Sequence, residues 1–134
     1  MEYLIGVALA LAVGLSLTVL GMDRDRSLYP AIMIVIAAYY ELFAVIGGST
    51  HALVAETAVA AVFVGLSVAG FKSTLWLVVA ALAGHGLFDL VHGRLIENPG
   101  VPAFWPAFCF AYDVIAAGYL ALLISRDGIR TNME

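Results

Sequence analysis

Five apolar stretches, each long enough to cross a bilayer as a helix, make up most of this chain of 134 residues. Hydrophobic residues account for 63% of the sequence and charged residues for 12%, and the mean hydropathy is +1.03. About 20 apolar residues span the hydrocarbon core of a membrane, more than a buried helix of a soluble protein uses. The breakers between the stretches predict helices at about 3–20, 28–46, 51–70, 73–92 and 104–124.

The connections between these stretches are too short to hold a soluble domain. The sequence therefore predicts an all-α integral membrane protein, a compact bundle of five transmembrane helices that forms one domain over residues 1–134. Gly6, Ala10 and Gly14 recur every four residues in the first stretch, a pattern that lets another helix pack closely. No basic patch indicates nucleic acid. The expected partners are membrane lipid, a lipid-like substrate and a second copy of the chain.

The loops on the two sides of the predicted bundle differ strongly in positive charge. Because short basic loops stay on the cytoplasmic side, this difference predicts a cytoplasmic C-terminus and an N-terminus outside, in a bacterial inner membrane. The side with less positive charge has only Arg94. The other side has the remaining basic residues, which are Arg24, Arg26, Lys72, Arg126 and Arg130.

Four acidic residues lie within the apolar stretches, and no Lys or Arg lies there to neutralise them: Glu41, Glu56, Asp89 and Asp113. An ionised carboxylate in hydrocarbon is costly unless it is paired, protonated or bound to a cation. A rise of about 1.5 Å per residue puts three of these acids, Glu41, Glu56 and Asp113, level with His85, about 10 to 13 Å below the outer surface. We therefore expect one site that opens outward, with Asp89 and His92 leading to its mouth.

One face of the fourth predicted helix is polar. His85, Asp89 and His92 recur at positions i, i+4 and i+7, which places them within an arc of about 60°. The two histidines are about 10 Å apart along the axis, too far for one ion to bind both. This spacing leaves open one deep site on His85 and Asp89, or two sites that share Asp89.

Carboxylates together with imidazoles are typical ligands of Zn, Fe or Mn in helical bundles. We predict a divalent metal site and expect Glu41 and Asp113 to be the catalytic residues, since a carboxylate that does not bind the ion can act as a general base. Haem is disfavoured because only one histidine lies deep. The candidate metal ligands are His85, Asp89, Glu56, Glu41, Asp113 and His92.

Three functions remain open. The favoured one is a metal-dependent membrane enzyme, a hydrolase or an oxidase, that acts on a lipid or another apolar substrate. The second is a proton- or cation-coupled transporter or channel that uses the same acids as a relay. The third is a structural or assembly subunit, in which protonated acids form hydrogen bonds with His85 and with tyrosine hydroxyls such as that of Tyr40.

The stretch Gly84 to Val114 reads GHGLFDLVHGRLIENPGVPAFWPAFCFAYDV. It resembles the signature region of a family of small bacterial integral membrane proteins described only as a domain of unknown function, and this resemblance implies no activity. In layout alone the chain is similar to intramembrane zinc hydrolases such as the alkaline ceramidases. Those proteins have seven helices and a His-x-x-x-His pair, whereas here the fourth residue after His85 is Asp89.

The loop before the last predicted helix is stiffened by Pro99, Gly100 and Pro102. As a simple connector it needs no function, and Trp105 is expected to anchor the next helix at the membrane surface. As a lid it covers the mouth of the site, with Arg94 or Glu97 against a polar head group. The sequence leaves both interpretations open.

Overall fold

The computed structural model describes residues 1–129, and each of their long elements is an α-helix. All five helices are long and apolar enough to cross a membrane, so the predicted number and type of elements is confirmed. Arg130, one of the basic residues used to predict orientation, lies outside the described residues. The helices are α1 (Glu2–Leu20), α2 (Leu28–Ile46), α3 (Thr50–Lys72), α4 (Trp76–Leu95) and α5 (Trp105–Ser125), with a short 3₁₀ turn at Met22–Arg24.

The predicted helix boundaries agree with the structure to within three residues, and the largest difference is in α4. This helix begins at Trp76 instead of residue 73 and ends at Leu95 instead of residue 92. The side chain of Thr74 accepts a hydrogen bond from the backbone N–H of Trp76, which helps to set the later start. The later end puts His92 inside the helix, where its side chain can face the core.

The helices do not pack in chain order. Helix α5 lies between α1 and α4, α4 also contacts α2 and α3, and α2 packs along α3. Helix α1 joins the bundle through α5, and its buried residues are Gly6, Ala10 and Gly14. A Cβ atom on Gly6 would crowd the backbone carbonyl of Phe108, so this close approach depends on glycine. The predicted small-residue packing surface is confirmed.

The core is polar toward one end of the bundle and apolar toward the other. We call the end with the α2–α3 turn and the α4–α5 loop the upper end, and the opposite end the lower end. The buried acids and histidines of α3, α4 and α5 lie in the upper half. The lower half is filled mainly by apolar side chains, among them Met33, Leu75, Val78, Leu82, Leu120 and Ile124. Asp23 and Ser67 are also buried there, and both have hydrogen-bond partners.

The α4–α5 loop folds back over the upper end. Gly100 lies so close to Phe43 that an added Cβ atom would overlap the backbone carbonyl oxygen of Phe43. The ring of Trp105 packs against Tyr39 and Phe43, with centroid distances of 5.0 and 4.9 Å. Trp105 is therefore held against α2 by aromatic packing. Its role as an anchor at the membrane surface stays a prediction.

Candidate functional site

Five acidic and histidine side chains are buried in the upper half of the bundle, each no more than 2% exposed. Helix α4 provides three of them because its polar residues recur on one face. Helices α3 and α5 provide one each and pack on either side of that face. These residues are Glu56, His85, Asp89, His92 and Asp113.

His85, Asp89 and Asp113 form the first of two groups. Nδ1 of His85 lies 2.7 Å from Oδ2 of Asp113, a hydrogen-bonding distance, and 3.6 Å from Oδ2 of Asp89. One ligand atom from each of the three residues can be chosen so that all lie within 4.8 Å of one another. The edge-on ring of Phe63, 4.9 Å from the His85 ring, forms an apolar wall. We call these three residues the His85 group.

Two carboxylate oxygens of the His85 group have no hydrogen-bond partner among residues 1–129. They are Oδ2 of Asp89 and Oδ1 of Asp113, and both atoms are buried. A buried acceptor without a donor is destabilising, and most buried polar atoms in folded proteins have a partner. A bound cation or an added proton would satisfy both oxygens. The side chains of the His85 group therefore leave two buried oxygens without a partner.

The spacing of the His85 group suits a tetrahedrally coordinated ion. Ligand atoms about 2.0 Å from a zinc ion are about 3.3 Å apart in tetrahedral geometry. Nδ1 of His85 lies 2.7 Å from Oδ2 of Asp113 and 3.6 Å from Oδ2 of Asp89, on either side of this value. Over the whole group, one ligand atom of each residue lies within 4.8 Å of the others. One imidazole and two carboxylates also suit iron or manganese, and catalytic zinc sites commonly use three protein ligands and leave one position open. The donor types suit a divalent ion, and the three residues lie close enough together to be candidate ligands.

Glu56 and His92 form the second group, close to the α4–α5 loop. Nε2 of His92 lies 2.6 Å from Oε1 of Glu56. The side-chain amide of Asn98 donates to the same oxygen at 2.9 Å and to the backbone carbonyl of Tyr40 at 3.0 Å. The carboxylate of Glu56 is thus compensated by an imidazole and an amide. We call these two residues the Glu56–His92 pair.

Tyr40 joins the two groups. Its hydroxyl donates to Oδ1 of Asp89 at 2.6 Å, and its ring stacks on that of His92 with centroids 3.9 Å apart and planes 8° from parallel. The side chain is 2% exposed, so neither contact competes with solvent. Tyr40 therefore fixes the orientation of a residue in each group.

The sequence interpretation expected Glu41, Glu56 and Asp113 to converge on His85, and the structure differs. Asp113 does contact His85, but Glu56 contacts His92. Glu41 joins neither group: it is half-buried, and the hydroxyl of Thr57 donates to its carboxylate at 2.9 Å. Successive residues on a helix are turned by about 100°, and Tyr40, the residue before Glu41, has the inward position. A role for Glu41 as ligand or catalytic residue stays a prediction that this placement does not support.

His92 was expected at the rim of the site, but it is 2% exposed because α4 continues past it and Asn98 lies against its partner Glu56. His51, near the start of α3, is exposed. The α4–α5 loop covers the side on which the site was expected to open. In this structure the buried groups are therefore enclosed.

Asn98 was missing from the predicted site residues. The sequence interpretation considered Arg94 and Glu97 as the functional residues of the loop, but both are exposed. Asn98 Oδ1 accepts a hydrogen bond from the backbone N–H of Gly100 at 3.2 Å, the local turn that Asn followed by Pro and Gly favours. That turn signal is visible in the sequence, whereas the inward direction of the amide nitrogen depends on the folded loop.

A comparison with known proteins found no matching family model, no matching curated protein and no matching solved structure. The resemblance of Gly84 to Val114 to a bacterial membrane protein family stays a prediction. What can be inferred about function comes from the geometry of the buried side chains.

Proposed function

We propose that this chain is an integral membrane protein whose His85 group binds a divalent metal ion, and that it is a metal-dependent enzyme acting on a lipid or another apolar substrate. The observation that most supports the metal site is the pair of unpartnered carboxylate oxygens beside the His85 ring, Asp89 Oδ2 and Asp113 Oδ1. A divalent cation bound there would satisfy both oxygens.

The distribution of apolar and charged side chains supports the membrane setting. Large apolar residues such as Leu4, Val19 and Val54 are 69%, 85% and 66% exposed, which suits contact with lipid. The lower end has Arg24, Lys72 and Arg126 in or next to its connections. By the positive-inside rule we assign the lower end to the cytoplasm and the upper end to the outside of a bacterial inner membrane.

The charge balance of the upper half supports a cation over hydrogen bonding alone. Three buried carboxylates, on Glu56, Asp89 and Asp113, face two histidines, and no Lys or Arg is among the buried residues of 1–129. Even with both imidazoles protonated, one negative charge would remain. Uncompensated charge in a low-dielectric interior is costly, and a divalent ion would remove the deficit.

The two groups suit different chemical roles, metal binding for the His85 group and proton transfer for the Glu56–His92 pair. His85, Asp89 and Asp113 would hold the divalent ion, which would supply Lewis acidity at this position. The Glu56–His92 pair, with its 2.6 Å contact, can hold and transfer a proton, as general acid–base catalysis requires. Tyr40 orients Asp89 on one side and His92 on the other. This assignment replaces Glu41 with Glu56 as the candidate acid–base carboxylate.

A transporter remains the second candidate because the buried polar groups are connected through Tyr40. Hydrogen bonds run from Asn98 to Glu56 and on to His92, and from Tyr40 to Asp89 of the His85 group. Tyr40 meets His92 by ring stacking, so a proton relay would need a water molecule or a side-chain movement at that step. The mainly apolar core of the lower half weighs against a path across the whole bundle. Proton flux in proteoliposomes that is abolished by Asp113→Asn would favour transport.

Metal analysis of the purified protein tests the first proposal. The protein in detergent is loaded separately with Zn²⁺, Mn²⁺ or Fe²⁺, dialysed, and analysed by mass spectrometry for metal. We expect about one ion per chain, by analogy with mononuclear sites, and strongly reduced binding in Asp89→Asn and Asp113→Asn. Glu41→Gln is the matched control and should keep the ion. Failure of all three metals to bind, or equal binding in Asp113→Asn, would contradict the metal site.

Enzyme activity needs a separate assay. Vesicles that contain the reconstituted protein and mixed membrane lipids are incubated with and without the metal that binds, and lipid products are identified by mass spectrometry. We expect products that depend on the metal and disappear in Asp113→Asn. If the protein binds metal but alters no lipid, the proposed enzyme activity is wrong and the proposed metal site still stands.

A further inference from the structure

Tyr40 is held in one position by its neighbours on α4. Its ring stacks on that of His92 at a centroid distance of 3.9 Å and lies 6.0 Å from the rings of His85 and Phe88. The side chain is 2% exposed, and the backbone carbonyl of Tyr40 accepts a hydrogen bond from the amide of Asn98. A ring that is packed on several sides has little freedom to move, so the fold sets the position of its hydroxyl.

The hydroxyl of Tyr40 engages one of the two carboxylate oxygens of Asp89. It donates to Oδ1 at 2.6 Å, whereas Oδ2 is buried and has no hydrogen-bond partner among residues 1–129. Asp113 shows the same division: its Oδ2 lies 2.7 Å from Nδ1 of His85, and its Oδ1 has no partner within those residues. Each carboxylate of the His85 group therefore has one oxygen in a hydrogen bond and one oxygen free for another ligand.

This division limits how Asp89 can bind an ion. A hydrogen bond from a hydroxyl to a charged carboxylate is stronger than one between neutral groups. Binding of a metal through both oxygens of Asp89 would weaken that bond, whereas binding through Oδ2 alone would keep it. The hydroxyl of Tyr40 therefore favours single-oxygen binding by Asp89.

The number of oxygens on offer decides which ions the His85 group suits. Calcium takes about six to eight oxygen ligands and manganese favours about six, whereas a catalytic zinc site has about three protein ligands and one open position. Within residues 1–129, the ligand atoms that lie within 4.8 Å of one another come from His85, Asp89 and Asp113 alone. Two carboxylates with one free oxygen each suit an ion of low coordination number.

We propose that Tyr40 is a positioning residue that sets the metal preference of the His85 group: its hydroxyl holds Asp89 to single-oxygen binding and so favours zinc over manganese. This inference rests on the proposed metal site and is independent of the proposed enzyme activity. Most protein sites bind zinc more tightly than manganese whatever their geometry. The informative quantity is therefore the change in preference when the hydroxyl is removed.

Tyr40→Phe tests the proposal because it removes the hydroxyl and keeps the ring. Dissociation constants for Zn²⁺ and for Mn²⁺ are measured on the full chain in detergent, by competition with a metal-binding dye. Loss of a hydrogen bond to a metal ligand lowers metal affinity by about 10- to 100-fold, and we expect a loss of this size for Zn²⁺. The loss for Mn²⁺ should be smaller, because Asp89 in this variant can bind the larger ion with both oxygens. The ratio of the two constants should therefore shift toward manganese.

The ratio separates positioning from a general weakening of the fold. Partial unfolding, or a changed charge on Asp89, would weaken the binding of both ions by the same factor and leave the ratio unchanged. Tyr39→Phe, at the 36% exposed position just before Tyr40, is the matched control and should keep both constants. An unchanged ratio in Tyr40→Phe would overturn the proposal and leave the metal site standing. If the wild type binds neither ion, the metal site is wrong and the proposal is wrong with it.

X-ray absorption spectroscopy of the zinc-loaded wild type tests the proposal without any substitution. Single-oxygen binding by both carboxylates predicts a shell of about four nitrogen and oxygen atoms at about 2.0 Å from zinc. Binding through both oxygens of Asp89 would add an oxygen to the ligands of the ion. A shell of more than about four ligands would therefore contradict the proposal, even if Tyr40→Phe fails to fold.

Discussion

Nδ1 of His85 on α4 lies 2.7 Å from Oδ2 of Asp113 on α5, inside the buried upper half of the bundle. The carboxylate of Asp89, one helical turn from His85, lies 3.6 Å from the same nitrogen. Two carboxylates thus share one imidazole, which can contribute at most one positive charge. The two carboxylates repel each other, and a cation or a proton between them would offset this repulsion by attracting both.

A divalent metal should therefore stabilise the wild-type protein against heat. A ligand at one hundred times its dissociation constant stabilises the folded state by about 2.7 kcal/mol, which should raise the melting temperature by several degrees. Asp113→Asn should remove most of this shift, and Glu41→Gln should retain it because Glu41 contacts Thr57 outside the His85 group. Thermal unfolding in detergent, followed by tryptophan fluorescence with and without metal, measures both.

The metal-free proteins provide the control for this prediction. Without metal, Asp113→Asn removes a negative charge next to Asp89 and should not destabilise the protein strongly. A large loss of stability in metal-free Asp113→Asn would instead indicate a structural hydrogen-bond network with no need for a cation. An equal metal-induced shift in Asp113→Asn and the wild type would place the ion elsewhere.

Tyr40→Phe should destabilise the protein by about 1 to 3 kcal/mol, because it leaves Oδ1 of Asp89 buried without its donor. The ring stacking on His92 is kept, so the change isolates the hydroxyl. Equilibrium unfolding in detergent measures the free-energy difference. Tyr39→Phe, one residue earlier and 36% exposed, is the matched control and should be close to wild type. Equal stability of both variants would show that the hydroxyl of Tyr40 is dispensable.

The features that the sequence predicted well depend on local patterns. Long apolar runs define the five helices, and the spacing of Gly6, Ala10 and Gly14 marks the face of α1 that packs on α5. The i, i+4 relation between His85 and Asp89 likewise fixes their proximity.

The predictions that failed depend on direction around a helix or on tertiary contacts. Counting residues gives the height of Glu41 in the bundle, but Tyr40 has the inward position at that height. The pairing of Glu56 with His92 follows from the extra turn of α4 and from a loop that inserts Asn98. Neither can be deduced from hydrophobic periodicity, because both depend on which side chain fills the core once the helices have packed.

Asn98→Ala should loosen the α4–α5 loop. The substitution removes donors to the carbonyl of Tyr40 and to Glu56, two contacts that tie the loop to α2 and α3. Loss of about 1 to 1.5 kcal/mol of local stability would speed amide hydrogen exchange in residues 96–103 by roughly tenfold. Glu97→Ala, at the exposed position just before Asn98, is the matched control and should leave the exchange rate of the loop unchanged. Identical exchange in the two variants would mean that Asn98 does not hold the loop.

Gly100→Ala should displace the loop or destabilise the protein by about 2 kcal/mol or more. The reason is steric: the new Cβ atom would overlap the backbone carbonyl oxygen of Phe43, and backbone atoms within α2 cannot move aside easily. Gly93→Ala is the matched control, since Gly93 lies in α4 and its added Cβ would meet open space. That change should be neutral or stabilising by about 0.5 to 1 kcal/mol, the difference between Gly and Ala within a helix. Unfolding in detergent measures the free energy of unfolding of both variants. If Gly100→Ala is as stable as Gly93→Ala and hydrogen exchange in the loop is unchanged, the close packing of the loop on α2 is contradicted.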